Sequence, residues 1–191
     1  MKKVLAIVAI AGLASAASAQ YVSMGNLTNG ASQHGIFPMG STGDQNEPSR
    51  WHLWLFQANA GDNITIDVDR TAAALDPVSS AFFGNANGAA FPPSGTFILD
   101  EAAIMAALPG LSWVGEGDDN EPDGFGGPFG DPLYGFVAPN TGTYSVFVAS
   151  FLSSTAGTRE YDITVTGSTV PTPGAIALLG LGGFAASRRR R

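Results

Sequence analysis

Two stretches of this chain alternate between apolar and polar residues with a period of two, and this pattern most restricts the fold. Residues 64–69 read Ile-Thr-Ile-Asp-Val-Asp, and residues 159–166 repeat the same alternation. Successive side chains of a β-strand point to opposite faces, so both stretches predict strands with one buried and one polar face. Residues 51–56 are apolar at every position except His52, which predicts a central strand that is covered on both faces.

Short apolar segments separated by turn-forming residues predict the rest of the body. We expect strands near residues 78–83, 112–114, 133–137 and 143–148, with shorter pieces near 21–27 and 36–37. Asp100 can cap a short helix over 101–108, which Pro109-Gly110 ends. We also expect residues 51–56 and 64–69 to form a hairpin across the turn at 58–63. Strands, turns and one short helix predict an all-β, antiparallel sandwich.

The N-terminus has the features of a secretory signal peptide. Met1-Lys2-Lys3 is basic, residues 4–14 are apolar, and Ala17 and Ala19 are the small residues that signal peptidase requires before Gln20. We therefore predict a signal helix over residues 1–19, cleavage before Gln20, and export of a body that spans 20–168.

The body is strongly acidic. Residues 20–174 contain three basic and 16 acidic side chains, a net charge of −13, whereas the whole chain carries −7. Such a surface repels nucleic acid and attracts cations, so nucleic-acid binding is excluded. The chain has no cysteine, which excludes disulfides, thiolate metal sites and a cysteine nucleophile.

An acidic, glycine-rich loop is the best candidate for a binding site. Its oxygen-bearing side chains are Glu116, Asp118, Asp119, Asn120, Glu121 and Asp123. Such hard oxygen ligands are those that Ca²⁺ prefers, although the spacing is not that of an EF-hand. A solvated loop without an ion is the alternative. A second, weaker cluster contains Asp67, Asp69 and Asp76, of which we expect the first two simply to face solvent.

Catalysis has little support in the sequence. The chain has two histidines, of which His52 is expected to pack among its neighbours, and it has no Gly-x-Ser-x-Gly motif. We therefore predict that the protein is not an enzyme. A carboxylate-based hydrolase is the remaining enzymatic alternative.

The three tryptophans allow two interpretations. Trp51, Trp54 and Trp113 could form a platform that stacks on sugars, or they could be core residues. Trp51 and Trp54 differ in strand parity, so they are expected on opposite faces of one strand.

Several motifs in the body, taken in order, resemble the bacterial pre-peptidase C-terminal domain family. They are Ala60-Gly61-Asp62 with Ile64-Thr65-Ile66-Asp67-Val68, Leu75-Asp76-Pro77, Gly117-Asp118-Asp119, Ala138-Pro139-Asn140-Thr141-Gly142-Thr143-Tyr144-Ser145-Val146, and Tyr161-Asp162-Ile163-Thr164-Val165. The resemblance covers roughly residues 50–167 and implies a jelly-roll-like β-sandwich on a secreted protein. Members of the family often accompany a protease, and some bind calcium or extracellular polymers.

The last 23 residues, 169–191, resemble the PEP-CTERM sorting signal. Pro171-Thr172-Pro173 is followed by an uncharged apolar run over 175–186 and by Arg188, Arg189, Arg190 and Arg191. The family motif is usually Pro-Glu-Pro, and Thr172 replaces the glutamate. A helix over 175–186 would span about 18 Å, short of the roughly 30 Å hydrocarbon core of a bilayer, which favours transient insertion over a permanent anchor.

The resemblance of the tail implies a processing enzyme and a destination. An exosortase-like enzyme would cleave near residues 171–173 at the inner membrane of a Gram-negative-type bacterium. We therefore expect a surface-sorted, non-enzymatic structural or adhesive component of the cell envelope or exopolysaccharide matrix. A calcium- or carbohydrate-binding extracellular module is the alternative, and extracellular polysaccharide is the expected partner.

We predict that the mature surface form begins at Gln20 and ends near Thr172, because both terminal segments are processing signals. Intact-mass analysis of the native surface protein measures both ends. Retention of the four terminal arginines would contradict removal of the tail.

Overall fold

The computed structural model describes residues 21–37, 43–122, 124–125, 130–151 and 157–170. The predicted signal peptide lies outside these residues, as does the sorting tail from Pro171 onward. No helix within the described residues is long and apolar enough to cross a membrane.

The described residues form short strands and one α-helix, near the positions that the sequence predicts. In chain order the elements are β1 Val22–Asn26, β2 Gln33–Phe37, a 3-10 turn at Pro48–Arg50, β3 His52–Ala58, β4 Asn63–Arg70, β5 Pro77–Phe83, α1 Glu101–Ala107, β6 Ser112–Gly117, β7 Glu121–Pro122, β8 Gly130–Asp131, β9 Leu133–Val137, β10 Gly142–Ser150 and β11 Arg159–Thr166. The predicted helix cap is confirmed, since the Asp100 carboxylate accepts a hydrogen bond from the Ala103 amide at 2.9 Å.

The main strands form two sheets. One has five strands in the order β1-β3-β10-β5-β6, and the other has four in the order β2-β11-β4-β9, while β7 and β8 form a separate ribbon. The predicted all-β sandwich with one short helix is confirmed. One strand departs from the antiparallel pattern, because β1 pairs with β3 in parallel.

The predicted hairpin between β3 and β4 is wrong. β3 lies between β1 and β10 in the five-stranded sheet, and β4 lies between β11 and β9 in the other, so the turn joins the two layers. The side-chain patterns explain the separation. β3 is apolar on both faces, so it belongs in a sheet whose two faces are both buried. The alternating residues of β4 fit a sheet with one buried and one polar face.

The five-stranded sheet is indeed covered on both sides. The core between the two sheets contains Trp54 and Ile66, and a second core packs the outer face of the five-stranded sheet against the segment 84–111. Trp51 and Ile104 belong to this second core. The alternation of β11 is also confirmed, since Tyr161, Ile163 and Val165 are buried between the sheets.

A polar network lies within the core between the sheets. The Trp54 indole N–H donates to the Tyr161 hydroxyl at 2.9 Å, and His52 Nδ1 lies 2.7 Å from the same oxygen. Because the Tyr161 oxygen accepts a hydrogen bond from Trp54, the Tyr161 hydroxyl proton can be donated to Nδ1 of a neutral His52. The ring of His52 also stacks on Phe37 with centroids 3.9 Å apart, which confirms that His52 is a packed core residue.

The end of the folded body is tied to the β3–β4 turn. One Asp62 carboxylate oxygen accepts from the Asn59 amide at 2.8 Å and from the Thr169 amide at 3.0 Å, and the other accepts from the Thr169 hydroxyl at 2.8 Å. These hydrogen bonds lower the pKa of Asp62. The chain therefore leaves the sandwich at a fixed point, directly before Pro171.

Replacing His52 by Gln should remove part of the acid sensitivity of folding. Burial lowers the pKa of His52 from its ordinary value of 6.5 to about 4. Between these values the unfolded chain binds more protons than the native protein, so stability falls as the pH decreases through 6.5. From pH 7.5 to pH 5 this histidine should cost about 2 kcal/mol, measured by urea unfolding.

The control for this comparison is His34→Gln, which removes an exposed imidazole and should leave the acid-dependent loss in place. Equal acid dependence in the wild type and His52→Gln would show that His52 does not cause it.

Candidate metal centre

Seven carboxylates meet at one end of the sandwich, which we call the acidic pole. They belong to Asp67, Asp69, Asp76, Asp118, Asp119, Glu121 and Asp131. The topology explains their meeting, because β4 ends at this pole, β5 begins there, and Gly117 at the end of β6 pairs with Ser79 near the start of β5. The β4–β5 connection and the loop after β6 are thereby brought together.

Asp76, Asp118 and Asp119 form the first group, which we call the deep cluster. One carboxylate oxygen of each lies within 4.8 Å of one oxygen of both others. The three differ in depth, since Asp76 is 1% exposed, Asp118 is half-buried and Asp119 is exposed. The cluster thus has a buried floor and an open outer side.

One oxygen of the buried Asp76 carboxylate has no hydrogen-bond partner among the described residues. This atom, Oδ1, is inaccessible to solvent. Burial, followed by the negative charges of Asp119 and Asp118, raises the pKa of Asp76 to about 6 against the smaller opposing effect of the Arg70 guanidinium. An isolated buried carboxylate is costly unless it is paired, protonated or bound to a metal ion.

The loop that carries Asp118 and Asp119 is held by its own backbone. Asn120 Oδ1 accepts from the Asp118 amide at 2.9 Å, and Asp119 Oδ1 accepts from the Gly130 amide at 2.6 Å. Gly117 leaves no room for a side chain, because an added Cβ would lie 2.6 Å from both Asn120 Oδ1 and the Tyr134 ring. The hydrogen bonds and the close packing of the loop therefore fix the positions of Asp118 and Asp119.

Asp67, Asp69 and Glu121 form the second cluster, also with oxygens within 4.8 Å of one another. Burial, followed by the charges of Asp69 and Glu121, raises the pKa of Asp67 to about 6. Asp69 is exposed, as the alternation of β4 predicts, but Asp67 is half-buried with Oδ1 unpartnered among the described residues. Asp67 is thus more than a solvent-facing residue.

Arg70 lies between the two clusters. Its Nε is 3.8 Å from Asp131 Oδ1, and its Nη1 donates to the Leu75 carbonyl at 2.8 Å. Asp131 is 3% exposed, and its burial raises its pKa to about 6 despite the opposing effect of Arg70. One guanidinium cannot balance seven carboxylates, so the pole carries a large uncompensated negative charge at neutral pH.

The structure divides the predicted calcium residues between these clusters. Asp118 and Asp119 join Asp76, and Glu121 joins Asp67 and Asp69. Asn120 uses its side-chain oxygen to support the loop. The remaining two predicted ligands belong to neither group: Glu116 is half-buried on β6, where burial and then the charge of Glu101 raise its pKa, and Asp123 lies outside the described residues.

Asp131 is the residue that the sequence did not suggest. Asp131 lies eight residues after Asp123, the last predicted ligand of the loop, and it does not belong to any metal-binding motif with the other aspartates. The β7–β8 ribbon brings it opposite Glu121.

The tryptophans do not form a common surface. Trp51 and Trp54 are buried in different cores, on opposite faces of the five-stranded sheet as strand parity predicts, and Trp113 is 43% exposed. A shallow cavity of about 240 Å³ lies between residues 85–90 and 107–111, and no carboxylate lines it. It does not provide the facing carboxylates that a hydrolase of the kind considered above would need.

The chain is similar to several solved structures at low sequence identity. CorA, a surface-associated copper-binding protein important in copper acquisition by Methylomicrobium album BG8, aligns with a TM-score of 0.55 and 12% identity over 77% of this chain and 98% of CorA. The secreted protein MopE of Methylococcus capsulatus aligns with a TM-score of 0.46 and 16% identity, over 74% of this chain and 86% of MopE. No protein-family model matches the chain, and no curated protein does.

A pre-peptidase C-terminal domain is also among the similar structures. The domain from a Bacillus anthracis collagenase aligns with a TM-score of 0.40 and 12% identity over 75% of this chain and 92% of that domain. The likeness to CorA shows a shared fold and does not identify a ligand of this chain.

Asp76→Asn should stabilise the cation-free protein at pH 7.5. The raised pKa of Asp76 means that the native state disfavours its charged form, and asparagine keeps the shape without the charge. The midpoint of thermal unfolding in EDTA should rise by a few degrees. Glu101→Gln removes an exposed carboxylate that belongs to neither cluster and should change the midpoint much less. A lower midpoint for Asp76→Asn would contradict a destabilising charge at this position.

Proposed function

We propose that this protein is an exported, non-enzymatic β-sandwich module that binds calcium at its acidic pole. The observation that carries the proposal is the Asp76 carboxylate, which is 1% exposed, has no hydrogen-bond partner for Oδ1 among the described residues, and faces two further carboxylates. A cation among the three oxygens would supply the missing partner and neutralise the buried charge.

The donor set favours calcium over other ions. Calcium binds six to eight oxygens at roughly 2.3–2.6 Å, so two oxygens on one ion can lie up to about 5 Å apart. The separations of 4.8 Å or less within the deep cluster are compatible with this geometry. CorA is described as a copper-binding protein, but both clusters here consist of carboxylates alone, which suit hard cations better than copper.

The biological role that we propose is structural or adhesive, at the cell surface or in its polysaccharide matrix. The predicted signal peptide and the predicted sorting tail support export and delivery. The net charge of −13 over residues 20–174 supports a cation-dependent role outside the cytoplasm. Calcium would then stabilise the acidic pole after export.

A calcium titration tests the proposal. The unfolding midpoint of the protein in EDTA should increase by roughly 4–8 °C at about 10 mM calcium, because the ion binds the native state only. Asp76→Asn should lose most of this increase, since it removes the buried ligand.

Glu101→Gln is the matched control, and it should retain the full increase. Magnesium and copper at the same concentration should have smaller effects. The absence of a calcium effect on the wild type, or an equal effect on Asp76→Asn, would refute calcium binding at the deep cluster.

A further inference from the structure

Two surface turns of this chain contain an asparagine followed by glycine, a chemically labile pair. They are the turns at residues 28–31 and 86–89, with Asn29-Gly30 in the first and Asn87-Gly88 in the second. No other asparagine of the chain precedes a glycine. Asparagine can lose ammonia when the next backbone nitrogen attacks its side chain, and a following glycine has no side chain to hinder that attack.

The two turns have the same backbone shape. In the first, the Ala31 amide donates to the Thr28 carbonyl at 2.9 Å. In the second, the Ala89 amide donates to the Ala86 carbonyl at 3.1 Å. The glycine at the third position has a φ of 73° in one turn and 78° in the other, and no described residue other than glycine has a positive φ. Both are therefore type II turns, with the asparagine at the second position.

The first turn is held against β11 and the residues that follow it. The Gly30 amide donates to the Val165 carbonyl at 2.8 Å. Asn29 Oδ1 accepts a hydrogen bond from the Ser168 amide at 3.1 Å. The attacking nitrogen and the attacked side chain are thus both engaged, and both hydrogen bonds must break before they can react with each other.

The second turn lacks these restraints. Among the described residues, neither the Gly88 amide nor the Asn87 side chain has a hydrogen-bond partner. Both residues are exposed, as are Asn29 and Gly30, so water reaches both turns equally. The reacting atoms of Asn87 and Gly88 can therefore approach each other without the loss of a hydrogen bond.

We propose that Asn87 is a site of spontaneous deamidation and that the fold protects Asn29 from the same reaction. The Gly88 amide nitrogen attacks Cγ of Asn87 and forms a new C–N bond. The side-chain nitrogen leaves as ammonia, taking up the proton that the Gly88 amide loses. Water then opens the cyclic imide at either carbonyl, which yields aspartate or isoaspartate. Water is the only co-reactant, and the proposal is independent of the calcium site proposed above.

The modified turn would lie directly on the second core. Ala86 is buried in that core and Ala89 packs against it, while the Ala86 amide donates to Ser145 Oγ at 2.9 Å. In isoaspartate the main chain passes through the former side chain, so the turn between these two contacts becomes longer by one atom. Both products also add a negative charge to a body that is already strongly acidic.

Peptide mapping by mass spectrometry tests the proposal on the full chain. The native protein is incubated in mildly alkaline buffer, and aspartate and isoaspartate are quantified at both sites over time. Conversion at Asn87 should be at least tenfold faster than conversion at Asn29. In guanidinium chloride the hydrogen bonds of both turns are lost, so the two rates should become similar.

Asn87→Gln is the matched variant, because glutamine would have to close a larger ring and loses ammonia much more slowly. Anion-exchange chromatography of the aged wild type should resolve a species with additional negative charge. The aged Asn87→Gln protein should lack most of this species, which would link the added charge to position 87.

Equal rates at Asn29 and Asn87 in the native protein would overturn the proposal, because the hydrogen bonds of the first turn would then offer no protection. Faster conversion at Asn29 would overturn it as well. So would an unreacted Asn87 in native protein under conditions in which the denatured chain is converted.

Discussion

The fold depends on one constraint, which is that the five-stranded sheet is buried on both faces. β3 has apolar side chains on both faces, so both faces of its sheet must be covered. The four-stranded sheet covers one face only. The segment 84–111, with α1, covers the other. The insertion that interrupts the series of strands is therefore part of the core, and its loss would expose Trp51 and Phe147 to water.

The acidic pole follows from the same architecture. Connections between the two layers must lie at the ends of the sandwich, where they cannot be covered by a further sheet. At this end they carry carboxylates, and packing against β5 buries Asp76 among them. The pole is thus built at a cost to the folded state that protonation or a bound cation would offset. The loop hydrogen bonds made by Asn120 and Asp119 hold this arrangement in place.

Much of the fold could be predicted because side-chain alternation reports local burial directly. This alternation predicts the strands that contain Ile66 and Ile163. The helix cap is predicted because aspartate is a favoured residue at the N-cap position that Asp100 occupies. Strand pairing was not predictable in the same way. The β3–β4 turn has the composition of a hairpin turn, and only the contrast between a doubly apolar and an alternating strand indicates that it joins two layers.

The candidate site was partly predictable for a similar reason. The acidic loop is visible in the sequence, but a ligand group that combines Asp76 with Asp118 and Asp119 depends on the antiparallel register of β5 and β6. The sequence alone groups Asp76 with Asp67 and Asp69 in the weaker cluster, whereas the structure groups it with Asp118 and Asp119. Asp131 has no distinguishing signal in the sequence, since its burial and its contact with Arg70 arise from the β7–β8 ribbon.

The hydrogen bonds of Asp62 to Thr169 have a mechanical consequence. They fix the exit of the chain at the end of the sandwich opposite the acidic pole, and β4, which spans the molecule between them, is about 25 Å long. A tension applied between the C-terminal exit and a ligand at the pole would pull β11 along its own axis. Its ladders with β2 and β4 would then be loaded in shear, so that many backbone hydrogen bonds share the force at once.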